Sequence, residues 1–398
     1  MERIYLDNAS TTSLSAEVLN AMMPVLTDNF GNSSSIHSFG RDAANLIDHS
    51  RDIIADSINA KSNEIYFTAS GSEANSWAII GLANANRLHG NHIITSKIEH
   101  PSVLEACKYL ENNGFKVTYL DVDHNGFVNF AQYLSALSSN TVLVSIMCAN
   151  NEIGTIQNIK ALAQTAHEKG IIFHTDAVQL YGNMVIDVQD LGIDAMTISA
   201  HKIYGPKGVG CLYVSNKLKL DPIVFGGNQE RGKRGGTSNT AGIVGFAKAA
   251  EIATTHMRAN NNKIRALSEY FLTKLTHLVE NITINAKVKQ KLPHIISVSF
   301  TGIDGTSLLT KLDLNGVAVS AGSACTSNSL SISHVISAIG ANNDVARSTV
   351  RFSLGKNNTY EEIDAAVAII KRSVDELRAY SSTYGLKIRK RKGDGKDV

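Results

Sequence analysis

Short β-branched runs alternate with longer helical patterns through the first two thirds of this 398-residue chain. Such alternation is typical of a mainly parallel sheet that is covered by helices. Most of the runs carry few charges, as expected of strands buried on both faces, although a short run alone does not distinguish a strand from a buried helix. The predicted strands are residues 64–68, 92–96, 116–120, 141–147, 171–175, 195–199 and 210–214.

The last third of the chain predicts a smaller α+β unit. Strands are expected at residues 295–300 and 350–353, with a helix near 307–314 between them. A final helix begins with the capping box Thr359-x-x-Glu362, and its apolar residues keep one face at helical spacing.

The segment that joins the two units is also helical in pattern, over residues 241–279. An Asn-rich interruption at 260–262 predicts a helix end or a kink there. The expected fold is therefore α/β, with a seven-stranded, mainly parallel sheet in a large domain and a smaller α+β domain. We expect the large domain to cover residues 15–258, the small domain residues 1–14 and 259–380, and a basic tail residues 381–398.

Charge and cysteine usage argue against several classes of function. The 38 Lys and Arg nearly balance the 36 Asp and Glu, so the chain as a whole shows no preference for nucleic acid. The four cysteines form no CxxC pair, which argues against a disulfide framework or a cysteine-based zinc site and favours reducing surroundings. Because neither a leader segment nor an apolar run of membrane-spanning length is evident, we expect a cytoplasmic protein without a membrane partner.

Polar stretches follow five of the predicted strands, at the edge where an open α/β sheet places its ligand site. The first contains Gly71 and Ser72 before a helical pattern, and small residues there leave backbone N–H groups available to a phosphate. The second places His100 before Pro101, which suits the first position of a helix. The third is a polar turn that contains Asn151. Ordinary helix capping or a loop explains each of these equally well when it is taken alone.

The fourth and fifth stretches carry an aspartate and a lysine at successive strand ends. Asp176 closes a predicted buried strand, where a carboxylate is costly unless it is paired, for example with a pyridinium nitrogen. Lys202 follows the next strand, and a lysine partly desolvated beside a positively charged ring can form a Schiff base, although a solvated surface lysine is the ordinary alternative. With the phosphate-binding candidate upstream, this order suggests pyridoxal phosphate. The lack of GxGxxG after the first strand disfavours a nicotinamide-dependent oxidoreductase.

Cys325 differs from the other cysteines in its surroundings. It lies in the Ser/Gly/Ala-rich segment 320–329, whose low apolar content predicts a mobile surface loop. Cys107, Cys148 and Cys211 fall in helix or strand patterns, where filling the core is the better explanation. We therefore take Cys325 as the reachable thiol.

Taken together, these motifs resemble the NifS/IscS-type cysteine desulfurases, which are fold-type I, pyridoxal-phosphate-dependent enzymes of the class V aminotransferase superfamily. The resemblance covers roughly residues 1–380, and the Cys325 loop looks like that of the first group of the family. The matching stretches, in family order, are residues 5–12, 31–37, 70–75, 151–152, 176–179, 201–202, 234–237, the Cys325 loop and 351–355.

The resemblance implies a role for each matched residue around the cofactor. Lys202 would bind it covalently, Asp176 would keep its pyridine nitrogen protonated, and Gln179 would hydrogen-bond the ring hydroxyl. His100 would stack on the ring and assist proton transfer.

The resemblance also implies a phosphate site and a shared dimer. Ser72, Ser199 and His201 would bind the phosphate beside Gly71. Thr237 would reach the phosphate of the neighbouring subunit, so that a homodimer is the expected active form.

The same resemblance implies how the substrate, L-cysteine, is handled. Arg351 would hold its carboxylate together with Asn151, which also contacts the cofactor. Cys325 would take its sulfur as a persulfide, and alanine would leave. No resident metal is expected, although Cys325 can transiently ligate an iron–sulfur cluster.

The sequence departs from the family pattern in three places. Ser33 stands where the Gly-Asn-Pro-Ser-Ser motif has proline, and Ser72 replaces the usual phosphate-site threonine. The basic tail after Tyr384 does not look like the family's usual ending, which in relatives helps to dock the iron–sulfur scaffold. The sulfur acceptor therefore stays open among an iron–sulfur scaffold, a tRNA-thiolation enzyme, a cofactor pathway and a DNA-modification sulfur system, and no direct contact with nucleic acid is expected.

Alternative functions are a selenocysteine lyase, another class V reaction such as a small-molecule aminotransferase, and a non-catalytic sulfur-relay or nucleic-acid adaptor. The catalytic-cysteine loop argues against a transaminase. The intact set of Lys202, Asp176 and Cys325 argues against an adaptor.

Overall fold

The computed structural model describes residues 3–321 and 332–380. Its strands in chain order are β1 (Ile4–Tyr5), β2 (Ile65–Thr68), β3 (His92–Ser96), β4 (Lys116–Leu120), β5 (Thr141–Ser145), β6 (Ile172–Asp176), β7 (Ala195–Ser199), β8 (Gly210–Val214), β9 (Ile282–Ile284), β10 (Ile295–Phe300), β11 (Val317–Ala318), β12 (Ser320–Ala321) and β13 (Thr349–Ser353). Its α-helices are α1 (Ala16–Thr27), α2 (Ser38–Asp56), α3 (Gly71–Ala85), α4 (Pro101–Asn112), α5 (Phe130–Ala136), α6 (Ile159–His167), α7 (Val188–Leu191), α8 (Thr240–Leu278), α9 (Gly305–Leu314), α10 (His334–Ala338), α11 (Asn343–Arg347) and α12 (Tyr360–Ala379).

The largest sheet has seven strands in the order β2-β8-β7-β6-β5-β3-β4. Strand β8 runs antiparallel to both of its neighbours, and the other pairings are parallel. Every residue of β5, β7 and β8 is buried, which is the burial expected when helices cover both faces of a sheet. The predicted seven-stranded, mainly parallel sheet is confirmed.

In the large sheet, β2 and β6 each begin one residue later than predicted, and the carboxyl ends of β5 and β6, at the edge that carries polar residues, also differ from the prediction. Strand β5 stops at Ser145, and two residues further on the backbone N–H of Met147 donates to the buried carboxyl group of Glu99. Strand β6 continues one residue further than predicted and ends with Asp176 itself.

The last third of the chain forms a four-stranded antiparallel sheet, β12-β13-β10-β9, against which α9 and α12 pack. Helix α12 begins at the predicted capping box, with both reciprocal hydrogen bonds between Thr359 and Glu362 present. The N-terminal strand β1 joins this unit by pairing in parallel with β11. The segment around β1 is therefore part of the smaller unit.

Helix α8 runs without interruption through the Asn-rich segment, so the predicted helix end at 260–262 is wrong. Its first part, up to Ala250, is buried against the large sheet, and its last part, from Ile264, is buried in the smaller unit. No residue between these two positions is buried. The polar asparagines are accommodated because this stretch spans the gap between two cores, and Asn261 Nδ2 donates to the carbonyl of Asn183 at 2.5 Å.

Candidate active site

A cavity of about 370 Å³ opens at the carboxyl ends of the parallel strands. The start of α3, the loops after β3, β6 and β7, and β13 of the smaller unit all contribute to its wall. Ten of the residues predicted from the sequence meet here. They are Gly71, Ser72, His100, Asn151, Asp176, Gln179, Ser199, His201, Lys202 and Arg351.

Asp176 lies at the end of β6 and is only 6% exposed. Its Oδ2 accepts a hydrogen bond from Asn75 Nδ2 at 2.6 Å, and its Oδ1 accepts one from the backbone N–H of Val178 at 2.9 Å. These donors offset part of the cost of burying the charge. Because an ionised carboxylate offers about four acceptor positions, it can still accept a further N–H from the cavity.

His100 caps the N-terminus of α4, and Pro101 occupies the first helical position as predicted. The imidazole Nδ1 accepts from the backbone N–H of Ser102 at 3.2 Å and lies 2.8 Å from the Ser102 hydroxyl. Nδ1 is therefore the unprotonated nitrogen, and Nε2 carries the hydrogen. Burial lowers the pKa of His100 below its ordinary value, against the opposing effect of Asp176, so the ring is neutral at pH 7.

Asn75 connects these two groups. One hydrogen of its amide goes to Asp176 and the other to the Ser102 hydroxyl, at 2.9 Å, which in turn contacts His100. Asn75 received no role from the sequence, although it stands four residues after Gly71 and hence on the same face of α3.

Lys202 reaches back to the N-terminal segment. Its Nζ donates to the carbonyl oxygens of Ala9 and Ser10, at 2.7 and 2.6 Å. Gln179 Nε2 also donates to the Ala9 carbonyl, at 2.9 Å. The segment after β1 thus forms one wall of the cavity and holds the lysine against it.

Arg351 comes from β13 and brings a cation from the smaller unit into the same cavity. Its side chain is 3% exposed and is paired with Asp7 at 2.9 Å. It also donates to the Ser10 hydroxyl at 2.5 Å and to the backbone carbonyl of Asn151 at 2.9 Å. The cation is held in place by partners on two separate segments, residues 7–10 and the turn that contains Asn151, so its position is fixed.

The start of α3 is closely packed against the sheet. A Cβ on Gly71 would come within 3.0 Å of Val178 Cγ2, and one on Gly210 would come within 2.6 Å of the Ser70 backbone. Glycine at both positions lets the sheet approach the helix N-terminus, whose N–H groups favour an anion. The Ser199 hydroxyl beside it is buried and has no hydrogen-bond partner among the described residues.

His201 also lines the cavity, at the end formed by the start of α3 and Ser199. Its Nδ1 lies 3.2 Å from the Thr11 hydroxyl. Burial lowers the pKa of His201 to about 4, so the ring is neutral at pH 7 and can offer a hydrogen bond without a charge.

Two predicted residues are not part of the cavity. Thr237 is exposed and lines a separate cavity of about 190 Å³ with Glu230 and Arg234. Cys325 lies outside the described residues.

Glu152 and His334 also line the cavity, and neither received a role from the sequence. Glu152 is buried, and its carboxylate accepts from the Ser333 hydroxyl at 2.5 Å, while burial raises the pKa of Glu152 to about 7. His334 comes from α10. Glu152 adjoins a predicted residue in the chain, whereas no motif pointed to His334.

The remaining cysteines are core residues, as predicted. Cys107, Cys148 and Cys211 are buried and free, and burial raises the pKa of each thiol. None of these three is a thiolate at neutral pH. Among residues 3–321 and 332–380 no group of three or more His, Cys, Asp or Glu side chains is arranged to hold a metal ion, and no helix there is long and apolar enough to cross a membrane.

The model of the aminotransferase class-V family matches residues 4–366. The chain belongs to this family. Among its members, cysteine desulfurase IscS of Clostridium botulinum is 45% identical over 385 residues, which cover 96% of this chain and 97% of that protein. The predicted resemblance to NifS/IscS-type proteins is confirmed.

Solved structures of this class-V family agree with the fold. A NifS-like protein superposes with a TM-score of 0.89 at 35% identity, covering 94% of this chain and all of that one. SspA in complex with cysteine superposes with a TM-score of 0.79 at 37% identity, covering 89% of this chain and all of that one. The predicted fold class is confirmed.

Proposed function

We propose that the protein is a pyridoxal-phosphate-dependent cysteine desulfurase, a sulfurtransferase that moves the sulfur of L-cysteine to Cys325 and releases L-alanine. The observation that carries this proposal is the meeting of Lys202, Asp176 and Arg351 in one cavity, on two sheets. The names of similar proteins support the reaction, since one is called a cysteine desulfurase and another contains cysteine.

The chemistry of the cavity fits pyridoxal phosphate. The start of α3 and the unpartnered Ser199 hydroxyl suit a phosphate, with Gly71, Ser72 and His201 around it. The Asp176 carboxylate has acceptor capacity left for a protonated ring nitrogen. Gln179 lines the same cavity and would recognise the ring hydroxyl.

When bound, the cofactor supplies an electron sink that makes the α-proton of the amino acid acidic. Lys202 would hold the cofactor and, in substrate turnover, move a proton at its Nζ. His100 is neutral at pH 7 and can take up and return a proton. Arg351 and Asn151 would bind the substrate carboxylate at the opposite end of the cavity.

We extend the proposal to two domains, 15–258 and 1–14 with 259–380, and a tail of 381–398. The burial of α8 supports this division, since its first part belongs to one apolar core and its last part, beyond the unburied middle, belongs to another. The cavity lies between the units, since Arg351 comes from one and Asp176 from the other.

We also propose that the active form is a homodimer in which Thr237 completes the phosphate site of the neighbouring subunit. Its exposure and its separation from the cavity of its own chain support this role.

The sulfur acceptor would be another protein, of the iron–sulfur, tRNA-thiolation or DNA-modification type. Free, buried cysteines support a reducing compartment such as the cytoplasm.

The test is to supply L-cysteine and a thiol reductant to the purified protein and to measure alanine and sulfide. We expect equal amounts of both. Cys325→Ser should retain the visible absorbance of the bound cofactor and its change on adding L-cysteine, yet release no sulfide, whereas the control Ser323→Ala should behave like the parent protein. Normal sulfide release by Cys325→Ser would overturn the proposed role of this thiol.

A further inference from the structure

His334 has its side chain held in one orientation beside the cavity. It is the first residue of α10, directly after the capping residue Ser333. Its Nε2 lies 2.9 Å from the backbone carbonyl oxygen of Glu99. A carbonyl oxygen can only accept, so Nε2 must carry the hydrogen and donate it.

This hydrogen bond fixes the tautomer, and it leaves Nδ1 of His334 as an acceptor. Nδ1 makes no hydrogen bond to any residue in the described part of the chain, and it is not among the fully buried unpartnered atoms there. Burial lowers the pKa of His334, so the ring stays neutral at pH 7. The cavity wall therefore presents a lone pair without a proton.

The lone pair of His334 Nδ1 lies in the cavity where the proposed substrate would bind. Glu99, which anchors His334, directly precedes His100 in the chain, and the two imidazoles line the same cavity and interact electrostatically. Arg351 supplies a cation for the carboxylate, and Lys202 lies where the amino group would react. The side chain of an amino acid that is bound by both Arg351 and Lys202 would face another part of the cavity wall.

The part of the cavity wall that includes His334 suits a thiol. It contains Met147 and Ala149 together with His334. Apolar neighbours accept the weakly hydrated sulfur, and an unprotonated nitrogen accepts its weak S–H donor. Neither Arg351 nor Lys202 can accept a hydrogen bond in its charged form.

We propose that Nδ1 of His334 accepts a hydrogen bond from the thiol of bound L-cysteine, which makes His334 a specificity-determining residue of the cavity. This inference rests on the proposed function. It assigns to α10 the recognition of the one substrate atom that distinguishes cysteine from alanine.

Two substitutions separate this role from a merely structural one. In His334→Gln the amide nitrogen replaces Nε2 and can keep the bond to Glu99, while nothing replaces Nδ1. In His334→Asn the amide oxygen stands near Nδ1 and can accept from a thiol, while the bond to Glu99 is lost. The exposed His89→Gln is the control.

The measurement uses the cofactor-loaded protein in a Cys325→Ser background, where sulfur transfer does not consume the ligand. The change in the visible spectrum gives dissociation constants for L-cysteine and for thiol-free L-alanine. We expect His334→Gln to weaken L-cysteine about fivefold, the size of one hydrogen bond, and to leave L-alanine within about twofold. His334→Asn should keep most of the preference for L-cysteine, and His89→Gln all of it.

The inference is overturned if His334→Gln keeps the parent ratio of the two constants or weakens both ligands equally. The second of these results would assign His334 to anchoring α10 alone. A failed desulfurase assay with an altered ratio in His334→Gln would contradict the proposed function and leave the thiol contact standing. The two ideas therefore fail separately.

Discussion

Glu99 shows how a residue outside the reaction shapes this cavity. Its side chain is fully buried, accepts from the Ser96 hydroxyl at 2.6 Å and from the backbone N–H of Met147, and its carbonyl anchors His334. Burial raises the pKa of Glu99 to about 8, against the effect of these donors. The group is therefore mostly protonated in the folded protein at neutral pH and ionised in the unfolded chain.

This difference predicts a pH dependence of stability. With a folded pKa near 8 and an unfolded value near 4.5, the native state binds the extra proton, so stability falls as pH rises between these values. Glu99→Gln has no such proton. We expect the variant to lose less stability than the parent protein with rising pH, by about 1.4 kcal/mol for each pH unit between about pH 5 and about pH 8.

Chemical denaturation at several pH values measures this slope. The slope and not the absolute stability is diagnostic, because the amide changes the local hydrogen bonds equally at every pH. Glu105→Gln, at an exposed position of α4, should follow the parent protein. Parallel curves for Glu99→Gln and the parent protein would show that Glu99 is ionised in both states.

Individual site residues were predictable where the backbone pattern placed them. Asp176 ends β6 and Lys202 follows β7, and neighbouring parallel strands bring such ends together. His334 had no such signal, because its place depends on a contact with the carbonyl of Glu99, 235 residues away. Contacts of this kind are created by the tertiary fold and leave no local pattern.

Strands and helices were likewise predicted correctly where a local sequence pattern defines them, and incorrectly where tertiary contacts decide. The limits of β3, β4, β7 and β8 follow directly from their apolar runs. The Asn-rich part of α8 was predicted to end or kink the helix, and asparagine has a low helix propensity. That local cost is outweighed by the packing of both halves of α8 in separate cores.

Helix α8 offers a test of this explanation at Asn262. This residue is exposed, and no hydrogen bond is found for its side chain in the described structure. Asn262→Ala should stabilise the protein by about 0.6 kcal/mol, which is the difference in helix propensity. The denaturation midpoint measures the gain.

Asn261→Ala is the matched comparison. It gains the same propensity but loses the hydrogen bond to the Asn183 carbonyl, so we expect no net stabilisation. If Asn262→Ala were instead destabilising, the continuous helix through this segment would be contradicted.

At the scale of the whole molecule, the proposed homodimer predicts an interface near Thr237. Phe225 is 82% exposed and lies in the same loop system, which is closed by the hydrogen bond from the Gly235 N–H to the Val224 carbonyl. A large aromatic side chain with this exposure is typical of a protein interface.

Phe225→Glu should therefore shift the protein from dimer to monomer and reduce desulfurase activity with it. Sedimentation velocity measures the first effect, and sulfide release the second. The control is Leu88→Glu, where the parent leucine is fully exposed at a different place, on the turn after α3. A dimer that persists in Phe225→Glu would remove this loop from the interface.

The N-terminal segment has a consequence for how the chain is made. Ala9 and Ser10 hold Lys202, and Asp7 pairs with Arg351 across 344 positions of the sequence. At a synthesis rate of about 5 to 20 residues per second, Asp7 leaves the ribosome on the order of 20 to 70 s before its partner. Residues 7–10 are therefore synthesised long before the partners with which they make these contacts, so the cavity is completed only after Arg351 has been translated.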